Sequence, residues 1–407
     1  MKVLFLSNLY PPNVCGGYEQ LCFSVASALA EKGHTVGVLT SSYGGASADY
    51  PGQQVWRSLL LLATEGNIYE PFCPTPQLRN DICGHNLREL HRVVEEFSPD
   101  ILFVWNLYFF DASLLHEIEG SYGHKAVYFL TDNWLISFFH GDFLGWYFPN
   151  VVFGHQTLED APAQEPVALR GRAIFGARFM ERFYASAGLT FSHTAVIHNG
   201  VCLPSQPEAG YRDRLLPVRK GALRLLFAGR VVDVKGVHTL LSALPLVMAA
   251  LPDVAVSLDI VGDCQDDGYR ARLDAILAKD GTAPLVRFRN PVGLSTLFDL
   301  FQDFDVYVFP SLYEPFALTL IHALHAGIPT VASAVGGNVE IVFDRDTGRT
   351  YPRDDVQALA ACIVDLYREP LTRNRLSRRA REAAWGFTFA TMVTRIVQEL
   401  STAAGGA

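Results

Sequence analysis

The sequence predicts an α/β protein made of two doubly wound parallel-sheet halves. Three observations carry that expectation. A strand, a glycine-containing loop, a helix and a second strand fill roughly the first forty residues; the same module restarts near Leu223; and short, fully apolar segments of strand length recur between them. With 407 residues, of which 49% are hydrophobic and 18% charged, the chain is long enough for two or three domains with their own cores.

The first strand is expected at Lys2 to Asn8, ahead of the loop "LYPPNVCGG". A helix from about Tyr18 to Lys32 follows, because Leu21, Val25, Ala28 and Leu29 recur on one face and Gly33 stands where a helix stops. Thr35 to Thr40 is the returning strand, so the pair is parallel. "DILFVWN" (Asp100 to Asn106) and "KAVYFLTDN" (Lys125 to Asn133) are expected buried strands. From Cys202 to Gly221 the periodicity fails and Pro, Gly and charge collect in the manner of a linker. Beyond it come a strand at Leu223 to Ala228, the turn "GRVVDVKG", a helix at Val237 to Leu251 and a strand at Val254 to Val261. Further strands are expected at Leu285 to Arg289, Asp305 to Pro310 and Pro329 to Ser333, and an amphipathic helix at Phe389 to Leu400 follows the aromatic hinge "WGFTF". The expected domains are 1–203, 204–386 and a closing helix in 387–407. Both main domains are Rossmann-like, and ligands of such sheets bind at the carboxyl ends of the strands, so two of them face to face predict a deep cleft.

Composition removes several classes. The 33 Lys plus Arg against 42 Asp plus Glu leave a net charge of −9, which argues against a nucleic-acid partner. Seven cysteines contain no Cys-x-x-Cys pair, so they are read as thiols in a reducing compartment, the cytosol. Only Val3 to Leu6 are apolar before Ser7, too few for a signal peptide. The uncharged run Pro315 to Val339 is broken by Gly327, Pro329, Gly336 and Gly337, and is read as helix, turn, strand and loop, not a membrane span. Peripheral contact with the inner face of a membrane stays open. "DFD" at Asp303 to Asp305 mimics a metal motif, but strand alternation points its side chains apart. No metal or other cofactor is expected.

Three constellations carry chemistry. Gly16 and Gly17 precede the first helix, where backbone N–H groups can approach an anion; an ordinary structural turn explains them equally well. "GRVVDVKG" puts Arg230 and Lys235 on one glycine-bounded loop at a strand's carboxyl end, a forked and a mobile cation suited to a diphosphate, with two solvated surface cations as the plain alternative. "PSLYEPFALTLI" places Glu314 in a loop before a helix whose start, Phe316 to Thr319, offers free N–H groups.

These segments together, with "HNGV" at His198 to Val201, "GGNVEIV" and "TGRTY" between Gly336 and Tyr351, and "GGYE" and "EKGHTV" in the first half, resemble the retaining GT-B glycosyltransferases of family four. The resemblance covers nearly the whole second half. It implies a nucleotide-diphospho-sugar donor held by the C-terminal domain, an acceptor held by the N-terminal one, and a last helix that crosses back to the N-terminal half. By position, Arg230 and Lys235 would hold the diphosphate, Gly16 and Gly17 would close over it, and Glu314 would contact sugar hydroxyls beside the backbone of Phe316, Ala317, Leu318 and Thr319. Pro291 and Val292 would lie by the base. Two positions depart from the family pattern. His322 stands where a second glutamate usually bonds the ribose hydroxyls, which allows either an ordinary ribose or a 2′-deoxynucleotide. Thr131 stands where many relatives carry histidine; Asp132 and Trp134 remain as residues for the acceptor, a structural aspartate being the alternative.

The implied reaction is transfer of a sugar to a hydroxyl with retention, on a polysaccharide, a lipid-linked precursor or a small molecule, with Arg230, Lys235, Glu314 and Asp132 as the catalytic set. Alternatives are an epimerase or phosphorylase on the same scaffold, or a catalytically impaired relative that binds nucleotide or glycan as a partner subunit. The chain is expected as a monomer or homodimer. Two segments are candidates for acceptor recognition: Tyr50 to Arg79, which has little regular pattern, and the aromatic run Asn133 to Phe153, for which burial in the core is the default.

Overall fold

The computed structural model describes residues 1–203 and 221–405. The chain divides into two compact units, one made of Met1–Val151, Gln156–His198 and the chain from Met392 onward, the other of Val152–His155 and Asn199–Thr391. The linker expected at 202–221 falls largely outside the described residues. The last helix, Phe389–Gly405, runs five residues past the expected end and joins unit 1 from Met392.

Unit 1 contains seven strands: β1 (Lys2–Ser7), β2 (Thr35–Ser41), β3 (Gln53–Leu59), β4 (Ile101–Asn106), β5 (Ala126–Leu130), β6 (Val167–Phe175) and β7 (Leu189–Val196). Their order is β3-β2-β1-β4-β5-β6-β7, with every neighbouring pair parallel. The central strands are buried on both faces, which is why Val3 to Leu6 and Ile101 to Trp105 form unbroken apolar runs. Unit 2 repeats the plan with β8 (Ala222–Ala228), β9 (Ala255–Val261), β10 (Val286–Arg289), β11 (Val306–Phe309), β12 (Thr330–Ser333) and β13 (Arg349–Tyr351) in the order β10-β9-β8-β11-β12-β13, again all parallel. Its core joins Leu225, Phe227 and Ile260 of the sheet to Leu240, Leu244, Leu273 and Ile363 of the covering helices. In each unit the winding direction reverses between the first and fourth strands, β1/β4 and β8/β11. That reversal opens a crevice at their carboxyl ends.

The segment Tyr50 to Arg79 holds more structure than its pattern suggests: it contains β3 and the start of the helix Pro76–Phe97, whose Thr75 hydroxyl accepts from the N–H of Leu78 at 3.3 Å. The aromatic run folds into short helices, Ile136–Phe139 and Gly141–Tyr147. Trp134, Phe143 and Tyr147 are buried, the last two packing on Phe183 at 5.5 and 4.6 Å between ring centres. The "DFD" aspartates part company as expected: the helix Leu294–Asp303 ends on the first, whereas the buried Asp305 carboxylate accepts from the backbone N–H of Arg224 at 2.8 Å.

Loop packing in unit 2 leaves no room for side chains at particular glycines. A Cβ on Gly262, just after β9, would lie 1.8 Å from the carbonyl oxygen of Gly229. Gly262→Ala is therefore expected to cost about 2–3 kcal/mol in urea unfolding, because the loops after β8 and β9 must part. Gly386→Ala, with no atom within 4 Å of the added carbon, is the control expected to change little.

Candidate functional site

The loops at the β8/β11 reversal carry Arg230, Lys235 and Glu314. After β8 the chain passes Gly229 and the exposed Arg230, then Val231, whose N–H donates to the carbonyl of Asp263 at 2.8 Å. A short turn, Asp233–Lys235, ends at Gly236 with φ +64°, where a Cβ would sit 2.0 Å from the carbonyl oxygen of Pro310. Only glycine combines that dihedral with so close an approach. The loop after β8 is thereby pressed on the loop after β11, and the N–H of Leu312 donates to the carbonyl of Val234 at 2.8 Å.

This contact brings Lys235 onto Glu314. The ammonium donates to the carboxylate Oε2 and lies 5.6 Å from the centre of the Phe309 ring, while Glu314 is buried. Glu314 is held from behind as well: the N–H of Gly337 donates to its carbonyl at 2.9 Å, and a Cβ on Gly336 would come within 1.9 Å of the same oxygen. The paired glycines of "GGNVEIV" are thus a packing surface for the Glu314 turn. In the "HNGV" segment, Gly200 plays a similar part against the backbone of Thr388.

The helix Leu318–Ala326 starts four residues past Glu314 with Ala317 at its cap and no side chain bonded to its free N–H groups. Leu318 and Thr319 therefore present the positive end of the helix dipole beside the carboxylate loop. His322 lies within this helix and is buried; burial, with His325 nearby, lowers its pKa to about 4, so the imidazole is neutral at pH 7. Pro291 and Val292 follow β10, two strands away from β8, and Pro291 is exposed. The structure thus joins Lys235, Glu314 and the 316–319 backbone in one place, carries Arg230 on the same loop as Lys235, and sets Pro291 and Val292 at the end of the edge strand.

Unit 1 builds a different centre at β1/β4. Gly16 caps the helix Gly17–Glu31, and its N–H donates to the Glu19 carboxylate at 2.9 Å. The Gly16-to-Glu19 spacing is that of a capping box, a signal present in the sequence. Tyr18 was not expected here: its hydroxyl lies against the carbonyls of Trp105 and Phe129, at the ends of β4 and β5. Asp132, just beyond β5, accepts from the N–H of Trp134 at 3.1 Å. Burial raises its carboxyl to about 7, that backbone bond opposes the rise, and the buried Glu19, itself raised by burial, adds to it. Trp134 is wholly buried, its ring 6.0 Å from that of Phe138, so its side chain belongs to the core beneath Asp132. Among the described residues no three His, Cys, Asp or Glu side chains are grouped to hold a metal, and no helix is long and apolar enough to cross a membrane.

Two parallel-sheet units of this plan form a GT-B fold. Similarity to known proteins agrees along the chain. Residues 15–203 match the family described as Glycosyltransferase Family 4, and residues 222–369 match Glycosyl transferases group 1. Glycogen synthase of Mycobacterium tuberculosis is 26% identical over 98% of this chain and 94% of that protein. Sucrose-phosphate synthase of Thermosynechococcus elongatus superposes with a TM-score of 0.71 at 19% identity, covering 100% of both chains. Anabaena HepE, solved with UDP and glucose, gives 0.65 at 19% identity over 99% of this chain and 100% of that one. The chain belongs to glycosyltransferase family 4, and it transfers a sugar from a nucleotide-sugar donor.

The raised Asp132 carboxyl has a measurable consequence. A folded-state pKa near 7 against 3.8 unfolded means that folding favours the proton, so this contribution to stability is full below about pH 4 and is lost as pH rises through 7. Asp132→Asn keeps the acceptor oxygen and has no charge to bury. Its unfolding free energy should exceed wild type at pH 8 by on the order of 2 kcal/mol, and the difference should close by pH 4.

Proposed function

We propose that the enzyme works with retention at the anomeric carbon and without a metal, moving the sugar of a nucleoside-diphosphate donor bound to unit 2 onto an acceptor hydroxyl. The observation that carries this reading is Lys235, held at the β8/β11 reversal on the same glycine-bounded loop as Arg230 and already paired with a carboxylate. An ammonium seated on an anion here is placed for a phosphate oxygen in the same position. The donor diphosphate takes Lys235 and Arg230 as partners, with the N–H groups of Leu318 and Thr319 adding the helix dipole. Glu314, released from Lys235, accepts hydrogen bonds from sugar hydroxyls.

In the reaction the bond from the anomeric carbon to the phosphate oxygen breaks and the acceptor oxygen bonds the same face. The acceptor's proton passes to the leaving phosphate oxygen. No protein nucleophile is needed; the residues supply position and charge stabilisation as the diphosphate gains charge. Asp132 orients the acceptor hydroxyl or the sugar. Seven cysteines without a Cys-x-x-Cys pair support a cytoplasmic setting. The acceptor is a glycan, a lipid-linked precursor or a small molecule.

Arg230→Ala and Lys235→Ala should each lower kcat/KM by about 100-fold or more in a nucleotide-release assay, and near-normal activity of Arg230→Ala would refute the assignment. Proton NMR of the first-formed product should give the anomer of the donor sugar; the opposite anomer ends the retaining reading. For the base, matched UDP- and dTDP-sugars decide what His322 does. We expect UDP-sugar to be used at least as well, with a neutral imidazole bonding an ordinary ribose; a clear dTDP preference would assign His322 to a deoxyribose.

A further inference from the structure

Unit 1 carries an aromatic surface that the donor reading leaves unused. Tyr69 is 71% exposed, on the segment between β3 and the helix Pro76–Phe97. Its ring meets that of Phe109 at 5.9 Å between centres and 70° between planes. Phe109 in turn lies 5.9 Å from Tyr108. The Tyr108 hydroxyl is 3.5 Å from Asn133 Oδ1, and the nearby Asp132 helps burial raise that hydroxyl to about 12. At the opposite end the Tyr69 side chain reaches the thiol of Cys15, next to Gly16. A continuous band therefore crosses the carboxyl edge of the unit 1 sheet, from the glycine turn through Tyr69, Phe109 and Tyr108 to Asp132.

Two features mark the band as built for a ligand. Phe109 has φ +70°, a left-handed conformation that a bulky side chain rarely adopts. The carbonyl of Phe109 accepts from the N–H of Leu62 at 2.6 Å, which ties the Tyr69 segment to the loop after β4 and presents both rings together. The rings are also not uniformly apolar. Two carry hydroxyls, and Asp132 and Asn133 flank Tyr108. A lipid chain would leave those polar groups without partners, whereas a pyranose offers a C–H face to the rings and hydroxyls to the rim.

We propose that Tyr69, Phe109 and Tyr108 form the acceptor subsite, and that the accepting group is a pyranose lying on these rings with a hydroxyl toward Asp132. This rests on the glycosyl-transfer reading for its chemistry, but pyranose binding is measurable without a donor. Saturation-transfer NMR would use the wild-type protein with methyl α-D-glucopyranoside, methyl α-D-galactopyranoside, methyl α-D-mannopyranoside and myo-inositol. At least one methyl pyranoside is expected to receive saturation; Tyr69→Ala and Phe109→Gly should weaken its binding about tenfold, and Tyr69→Phe should retain it. Tyr69 is exposed and glycine relieves the strained φ at 109, so both variants should fold. Thermal stabilisation by UDP, unchanged in both, checks this. Saturation of myo-inositol alone, of no probe, or of wild type and both variants equally would overturn the proposal. Failure of UDP, GDP and dTDP to stabilise even the wild type would instead count against the donor reading, leaving the pyranoside result to decide this one.

Discussion

The contact between Lys235 and Glu314 depends on two backbones touching, and much of unit 2 is arranged to keep them there. Gly236 fits against the Pro310 carbonyl and Gly336 against the Glu314 carbonyl, so the loops after β8 and β11 have a single mutual position. The pair is mostly shielded from water, with 16% and 10% of the two side chains exposed. Removing one partner of such a pair leaves the other charge poorly solvated, so loss of either is more damaging than the strength of the contact suggests. An arriving phosphate changes that balance. It can take the ammonium without leaving it alone, and it frees the carboxylate for groups that donate hydrogen bonds.

The two units reach opposite electrostatics from the same topology. In unit 2 the loop after the first strand carries Arg230 and Lys235. In unit 1 the equivalent position leads to Gly16, Gly17 and Glu19, and the end of β5 adds Asp132. Two carboxyls with raised pKa values near one another are poorly suited to hold a diphosphate, because each added negative charge disfavours the rest. They are suited to hydroxyls. This difference in charge, and not the fold, is the ground on which we propose the donor for unit 2 and the acceptor for unit 1.

What was legible in the sequence follows from where the signal resides. The central strands were visible because burial on both faces demands unbroken apolar runs, as in Leu225 to Ala228 or Val306 to Phe309. The outer strands of unit 1 were not. β3 is only partly buried, and β7 carries exposed polar residues between its apolar ones, so neither forms such a run. The aromatic run 133–153 named its own residues but not their partners: Phe143 and Tyr147 pack on Phe183, which a separate helix, Arg178–Ser186, brings in from far along the chain. In the site, Arg230, Lys235 and Glu314 could be read from residue type and spacing. The aromatic band could not, since Tyr69 and Phe109 come from two loops that the Leu62-to-Phe109 backbone bond brings together.

His322 illustrates how one substitution can redistribute charge without adding any. A glutamate at this place would put a negative charge within reach of the helix start at Leu318, where it would partly neutralise the positive end of the dipole. The buried imidazole is neutral at pH 7 and does not. A protonated imidazole would add a cation there, but its pKa near 4 removes that form from the working range. The N–H groups of Leu318 and Thr319 therefore act at full strength on whatever anion lies beside Glu314. On the proposed donor pose, a bidentate hold on ribose gives way to a single neutral hydrogen bond, and the phosphates carry correspondingly more of the grip.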